Sequence, residues 1–178
     1  MMRLATLGEG QPAIFETVQG EGPAIGRPST FVRLSGCNLH CVWCDTPHTW
    51  NFEGTSFAHR GGQKFDRKRE VVSLSAQDVA SKVRALHPKH VVFTGGEPMN
   101  QQRGLVDVAE ALGPEFGVDL ETNGTVAPRD ALVARTHLFV VAPKLANSGM
   151  AESLRIKPEV LQAFAALEQS WFKWVVAD

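Results

Sequence analysis

Nowhere in this sequence do eighteen apolar residues follow one another, and the opening stretch MMRLATLGEGQPAIF holds no apolar run of secretory length. Neither a spanning helix nor a secretory leader is expected from such a pattern, and the reading it supports is a soluble, cytoplasmic protein. An excess of one charge is also lacking: 18 Lys and Arg against 19 Asp and Glu leave a formal net charge of -1. That balance supplies no general field for nucleic acid or for an anionic membrane, so neither is expected as a partner. Internal repeats and low-complexity tracts are missing as well. Cysteine is scarce: Cys37, Cys41 and Cys44 are the only three, all within one eight-residue window. An odd number so closely spaced excludes a disulfide framework and fits a reducing compartment. At 178 residues, with 43% hydrophobic content, the chain is long enough for one sizeable core, and a single domain over residues 1–178 is expected.

What is present is an alternation of short β-type runs with helical patterns, the signature of a parallel α/β sheet flanked by helices. Strands are expected at STFVRLS (29–35), HVVFTGG (90–96), VDLETNG (118–124), LFVVAPK (138–144) and WFKWVV (171–176), with one more near the N-terminus in AIFETVQ. Helical patterns occupy 75–86, 100–112, 128–134 and 158–168. In the first of these Ser75 and Asp78 form a candidate capping pair, and Val79, Val83 and Leu86 share one face. Residues 47–70, PHTWNFEGTSFAHRGGQKFDRKRE, show no clear periodicity and read as an insertion or lid rather than core. The sequence stops just after the apolar run WFKWVV. The edge of such a strand would stand exposed, so a truncated C-terminus or an unseen edge partner is expected.

Three thiols on one loop need a chemical reason. Structural zinc normally takes four ligands as two separated pairs, and no second cysteine pair exists, although His40, His48 or His59 would complete a site on paper. A cuboidal 4Fe-4S cluster suits three thiolates, with three irons held and the fourth left open to a substrate or cofactor. The spacing C-x3-C-x2-C alone leaves iron-sulfur, zinc and ordinary buried thiols all open. TGGEP, which ends the strand at 90–96, has Gly95 and Gly96 to admit a close approach of backbone to ligand, and Pro98 to begin the next helix. Together with the cysteine loop it falls at the C-terminal edge of neighbouring parallel strands, where open α/β sheets bind ligands. Arg33, in TFVRLS, shares Phe31's side of the pleat and runs straight into the cysteine loop. A charge so placed needs a partner, and a substrate carboxylate would serve.

CNLHCVWC, followed far along the chain and in the same order by GGEP, resembles the radical S-adenosylmethionine superfamily. The resemblance implies a partial, incomplete parallel β/α barrel. It implies that Cys37, Cys41 and Cys44 ligate a 4Fe-4S cluster whose open iron takes the amino and carboxylate groups of S-adenosylmethionine. Trp43 would lie beside the adenine, and Gly95, Gly96 and Glu97 would serve the methionyl amino group. Within the superfamily, FETVQGEGPAIGRPSTFVRLSGCNLHCVWCDT, ETNGT, PK and FKWVV resemble the 7-carboxy-7-deazaguanine synthase family over most of the chain. That likeness implies ring contraction of 6-carboxy-5,6,7,8-tetrahydropterin to 7-carboxy-7-deazaguanine with loss of ammonia, in the biosynthesis of queuosine and other 7-deazapurines. Gln19, Gly20 and Glu21 would pair with the pterin edge, and Arg33 with its carboxylate. Thr46 would give its hydroxyl to Mg2+, with Asp45 helping to position cofactor or metal. Glu121 and Thr122 would lie near the ribose, and Lys144 and Lys173 would also serve the cofactor. Ala142 stands where a serine is expected in that family, so one hydrogen bond to the cofactor would be missing. A flavodoxin-like electron donor and a homodimer are further implied.

Other residues read as ordinary. His87 and His90 flank a strand start and are expected at the surface. KFDRKRE (64–70) reads as a solvated lid segment, because few aromatics interleave its charges. Trp50 and Phe52 read as lid contacts or packing. Two other functions are weighed: a glycyl-radical-enzyme activase, against which QGEG and Arg33 argue, and a non-catalytic zinc or electron-transfer module, which calls for a fourth ligand.

Overall fold

The structure is a computed structural model describing residues 1–176. Its strands, among the described residues, are β1 (Met2–Ala5), β2 (Ile14–Val18), β3 (Pro28–Leu34), β4 (Val71–Leu74), β5 (His90–Gly95), β6 (Gly117–Thr122), β7 (Leu138–Val141) and β8 (Ser170–Phe172). They form one sheet in the order β4-β1-β3-β5-β6-β7-β8, with β2 against β3. The run from β3 through β5, β6 and β7 to β8 is parallel throughout. The path ends at β4 and β8 without meeting itself, which is the unclosed α/β barrel expected from the sequence. β5 is buried along nearly its whole length because it has parallel neighbours on both sides, and VVF therefore shows no alternation. Antiparallel β1 and β4 escaped the sequence reading, since four residues are too few to display a period.

The helices are α1 (Arg67–Glu70), α2 (Ala76–Arg84), α3 (Gln102–Leu112), α4 (Asp130–Val133), α5 (Glu152–Arg155) and α6 (Pro158–Ala165). α2 begins where Ser75 and Asp78 make a reciprocal capping box: the Ser75 hydroxyl accepts from the Asp78 N–H at 3.1 Å, and the Asp78 carboxylate accepts from the Ser75 N–H at 3.4 Å. Two otherwise orphaned helix-end donors are thereby satisfied. Val79 and Val83 are buried from α2, as are Leu105, Val108 and Leu112 from α3. They cover a sheet face carrying Leu34, Phe93, Leu120 and Phe139, and Phe164 of α6 meets Phe139 edge-on at 5.5 Å. Each such large side chain contributes about 1.5–3 kcal/mol by leaving water, so the core presses the helices onto the sheet and fixes where its strand ends lie.

Several expectations change. β7 stops at Val141 rather than 144, because Pro143 has no N–H for the ladder. The last strand is only Ser170–Phe172, and Trp171, Trp174, Val175 and Val176 are exposed. His90 is not at the surface: it is 2% exposed, and its Nε2 lies 2.8 Å from Asp119 Oδ2, equally buried on β6. A buried polar ring requires such a partner, and Asp119 supplies it from the adjacent strand. His87 is exposed as expected, beside Glu16. The stretch 47–70 is folded rather than loose. Phe52 bridges to Phe65, Thr49, Trp50 and Asn51 are buried, and Lys64 Nζ donates to Asn51 Oδ1 and Phe57 O, each at 2.7 Å.

The capping box gives a direct check. Ser75→Ala should lower unfolding free energy in urea by about 1 kcal/mol, with no change in slope; an unaltered midpoint would contradict the cap.

Candidate active site

The loops leaving β3 and β5 are bonded to each other. Gly96 N–H donates to the Leu34 carbonyl at 2.9 Å and Glu97 N–H to the Gly36 carbonyl at 2.8 Å. A Cβ added at Gly96 would collide with the Gly36 carbonyl, and Gly95 has φ +109°, so neither position admits another side chain without strain. This contact joins the cysteine loop to TGGEP around a cavity of about 600 Å3. Every site residue expected from the sequence lines it: Gln19, Gly20, Glu21, Arg33, Cys37, Cys41, Trp43, Cys44, Asp45, Thr46, Gly95, Gly96, Glu97, Glu121, Thr122, Lys144 and Lys173. Ala142 lies on the same wall.

The thiols occupy one end. Leu39 N–H donates to Cys37 Sγ at 3.4 Å, Trp50 Nε1–H to Cys44 Sγ at 3.3 Å, and the Thr46 hydroxyl lies 3.6 Å from Cys44 Sγ. Burial, with Glu97 adding, pushes the Cys37 thiol up to about 12, and burial raises Cys41 too, with Lys144 opposing. Thiols in such surroundings shed their protons only to a metal that compensates the charge. A single zinc ion does not fit, because among the described residues no three Cys, His, Asp or Glu side chains converge on one ion. The histidines are also otherwise engaged. His59 Nε2 is 2.8 Å from the Cys44 carbonyl, its Nδ1 accepts from Gly61 N–H at 3.1 Å, and His40 stacks on Phe57. Soft sulfur donors on one cavity wall suit a larger iron-sulfur group. Beside them the Trp43 indole N–H is buried and has no acceptor among the described residues, and the Lys144 ammonium stands 5.6 Å over the Trp43 ring. Both are donors left free for a bound molecule.

The lining also carries polar groups. Arg33 and Thr94 are register partners on β3 and β5, so their side chains leave the sheet on the same face. Arg33's guanidinium makes no hydrogen bond or ion pair among the described residues, whereas Thr94 donates to Glu121 Oε2 at 2.6 Å. Gln19 is 1% exposed; its amide donates to Glu121 Oε1 at 3.2 Å and its carbonyl accepts from Glu21 N–H at 3.0 Å. Gln19 therefore shapes the wall and aims Glu121. Glu21 forms an ion pair with Lys173, and both line the cavity.

Two residues expected at the cofactor have structural duties. Glu97 is wholly buried, and its carboxylate accepts from Met99 N–H at 3.0 Å, the Thr122 hydroxyl at 2.7 Å and Asn123 N–H at 2.7 Å. Thr122 spends its hydroxyl on that bond, so it serves the loop rather than offering its hydroxyl to a ribose. Asn123, missed in the sequence, donates to Asn38 Oδ1 at 2.9 Å and ties the loop after β6 to the cysteine loop. Thr94 was missed as well, because only the β3–β5 register sets it opposite Arg33.

Residues 31–137 match the family model of the Radical SAM superfamily. A curated 7-carboxy-7-deazaguanine synthase of Pyrobaculum aerophilum is 35% identical over 167 residues, covering 93% of this chain and 65% of that protein. The protein of the same name from Hyperthermus butylicus is 35% identical over 170 residues, with 93% and 64% covered. The chain thus spans somewhat less than two thirds of the length of these relatives. Among solved structures, QueE from Escherichia coli superposes with a TM-score of 0.56 at 22% identity, covering 97% of this chain and 82% of that one, a likeness of fold.

Lys173 yields a pH test. Burial lowers its ammonium to about 8, below the about 10.4 of a free lysine. Between those values the unfolded chain binds more protons than the folded one, so this residue's contribution to stability rises with pH across about 8 to 10.4, its burial cost being felt in full below pH 8. Wild-type melting temperature should therefore gain on that of Lys173→Met as pH goes from 7 to 10. A difference independent of pH would contradict the burial.

Proposed function

The chain belongs to the radical S-adenosylmethionine superfamily, and on that premise we propose that it catalyses the ring contraction of 6-carboxy-5,6,7,8-tetrahydropterin to 7-carboxy-7-deazaguanine, with loss of ammonia. One observation carries the reading. The unpaired guanidinium of Arg33 shares a cavity with the three thiols and with a polar wall built from Gln19, Glu21, Thr94 and Glu121. A planar carboxylated heterocycle needs these parts: a cation for its carboxylate and alternating donors and acceptors for its edge.

When bound, a 4Fe-4S cluster and S-adenosylmethionine supply the radical chemistry, which is the cofactors' own. The chain's residues bind and orient. Cys37, Cys41 and Cys44 hold the cluster, and Gly95 and Gly96 leave room for the methionyl end of the cofactor. Lys144 and the Trp43 ring stand beside the thiols as partners for its carboxylate and adenine. Arg33, beside Gly95, holds the substrate carboxylate, and Glu121, aimed by Gln19 and Thr94, accepts from the substrate's N–H groups. The Thr46 hydroxyl offers one hard oxygen to Mg2+, with water and substrate completing the shell. Glu21 and Lys173 pair with each other within the lining. A flavodoxin-like one-electron donor, a homodimer and a cytoplasmic setting belong to the same reading. No helix among the described residues is long and apolar enough to cross a membrane.

The experiment is an anaerobic assay of the iron-reconstituted protein with S-adenosylmethionine, reductant, Mg2+ and the carboxypterin, read by mass spectrometry. Appearance of 7-carboxy-7-deazaguanine is expected. Formation of 5'-deoxyadenosine without it would reject this substrate. Arg33→Ala should retain the cluster and cofactor binding while losing about a hundredfold in kcat/KM, and unchanged turnover would remove the carboxylate assignment. Cys41→Ala should lose the cluster, and an intact brown cluster in that variant would refute its role as ligand.

A further inference from the structure

The stretch 47–65 grips one residue of the cysteine loop twice. Trp50 donates its indole N–H to Cys44 Sγ at 3.3 Å, and His59 Nε2 lies 2.8 Å from the same residue's carbonyl oxygen. Indole nitrogen is a donor only, so the direction of the first bond is fixed. The ring that makes it has no freedom to leave. Trp50 is 4% exposed, with the rings of His40 at 5.1 Å and of Phe57 and His59 at 6.1 Å around it. Its backbone N–H donates to the Pro47 carbonyl at 3.1 Å, and neighbouring Asn51 is pinned by Lys64. A segment read from sequence as a lid is thus an aromatic shell packed behind the thiols.

Such a shell acts on the metal group's electronics. Reduction adds negative charge to a cluster and its thiolates, and an N–H aimed at a thiolate sulfur stabilises the reduced form more than the oxidised one. The rings packed round Trp50 keep its indole N–H from water, which strengthens the bond. We propose that Trp50 is a positioning residue that raises the reduction potential of the cluster held by Cys37, Cys41 and Cys44, through its hydrogen bond to Cys44 Sγ. This inference rests on the cluster reading given above, but it concerns how readily the group is reduced and not which substrate is turned over.

The test compares three full-length proteins reconstituted anaerobically with iron and sulfide: wild type, Trp50→Phe, and a protein carrying benzothienylalanine in place of Trp50. The last keeps the shape of the ring and replaces N–H by sulfur. Iron and sulfide content and the EPR spectrum of the reduced protein report assembly, and an EPR-monitored redox titration gives the midpoint. Assembly should be retained and the midpoint should fall in both variants, by about tenfold in the reduction equilibrium, about 59 mV for one electron. An unchanged midpoint in the benzothienylalanine protein overturns the proposal, whatever Trp50→Phe does, because a shift in the phenylalanine variant alone reports packing. If Trp50→Phe fails to assemble, the isostere still decides. Wild type that takes up no 4Fe-4S cluster would instead reject the cluster reading itself, so the two failures are distinct.

Discussion

Two backbone hydrogen bonds, from Gly96 to Leu34 and from Glu97 to Gly36, hold the loop after β5 against the loop after β3. Each is worth only about 1 kcal/mol net, yet they fix the distance between the thiols and the glycine turn. No side chain at position 96 could be accommodated in that contact. The third loop, after β6, joins through Glu97: its buried carboxylate takes bonds from Thr122 and Asn123, and Asn123 reaches on to Asn38. Three strand ends thus become one rigid wall. Breaking the β3–β5 contact would displace the cysteine loop, leave the Glu97 carboxylate without its frame and open the cavity at once.

Charge is distributed within that wall in a way that separates structural groups from groups left for a ligand. Glu97 is fully satisfied inside the protein, Glu121 is held by Gln19 and Thr94, and Glu21 is paired with Lys173. Asp45 apart, the acids of the lining are therefore spoken for. Arg33 and Lys144 are not: the described residues give neither a carboxylate partner, and Lys144 has only the face of Trp43. Unpaired cations in a partly desolvated cavity are favourable when an anion enters. Lys144 stands over the Trp43 ring and Arg33 lies against Gly95, two separate positions that suit two anionic groups. Cys37 and Cys41, raised by burial, depend on a metal to become thiolates.

Much of this was legible in the sequence. The five parallel strands announced themselves as β-branched runs between helical patterns, and the capping box of α2 as Ser75 and Asp78. Motif order placed the cysteine loop beside the glycine turn, because CNLHCVWC and TGGEP end adjacent strands. The misses have physical causes. β1 and β4 are too short to show a period. His90 reads as a polar residue at a strand start, and only the register of β5 on β6 brings Asp119 to it. Residues 47–70 lack periodicity because their order comes from aromatic contacts and side-chain hydrogen bonds to the cysteine loop, which no spacing rule encodes. The same reason hid Trp50, whose significance lies in a sulfur six residues away.

The proposed function stands on three thiols that hold a cluster with one iron open to a second molecule in the same cavity. It is tested most directly by EPR of the anaerobically reconstituted, reduced protein before and after addition of S-adenosylmethionine. The account expects a 4Fe-4S signal whose g-values change when the cofactor is added, as the open iron gains new ligands. A spectrum indifferent to S-adenosylmethionine, or a protein that retains zinc and no iron, would contradict it.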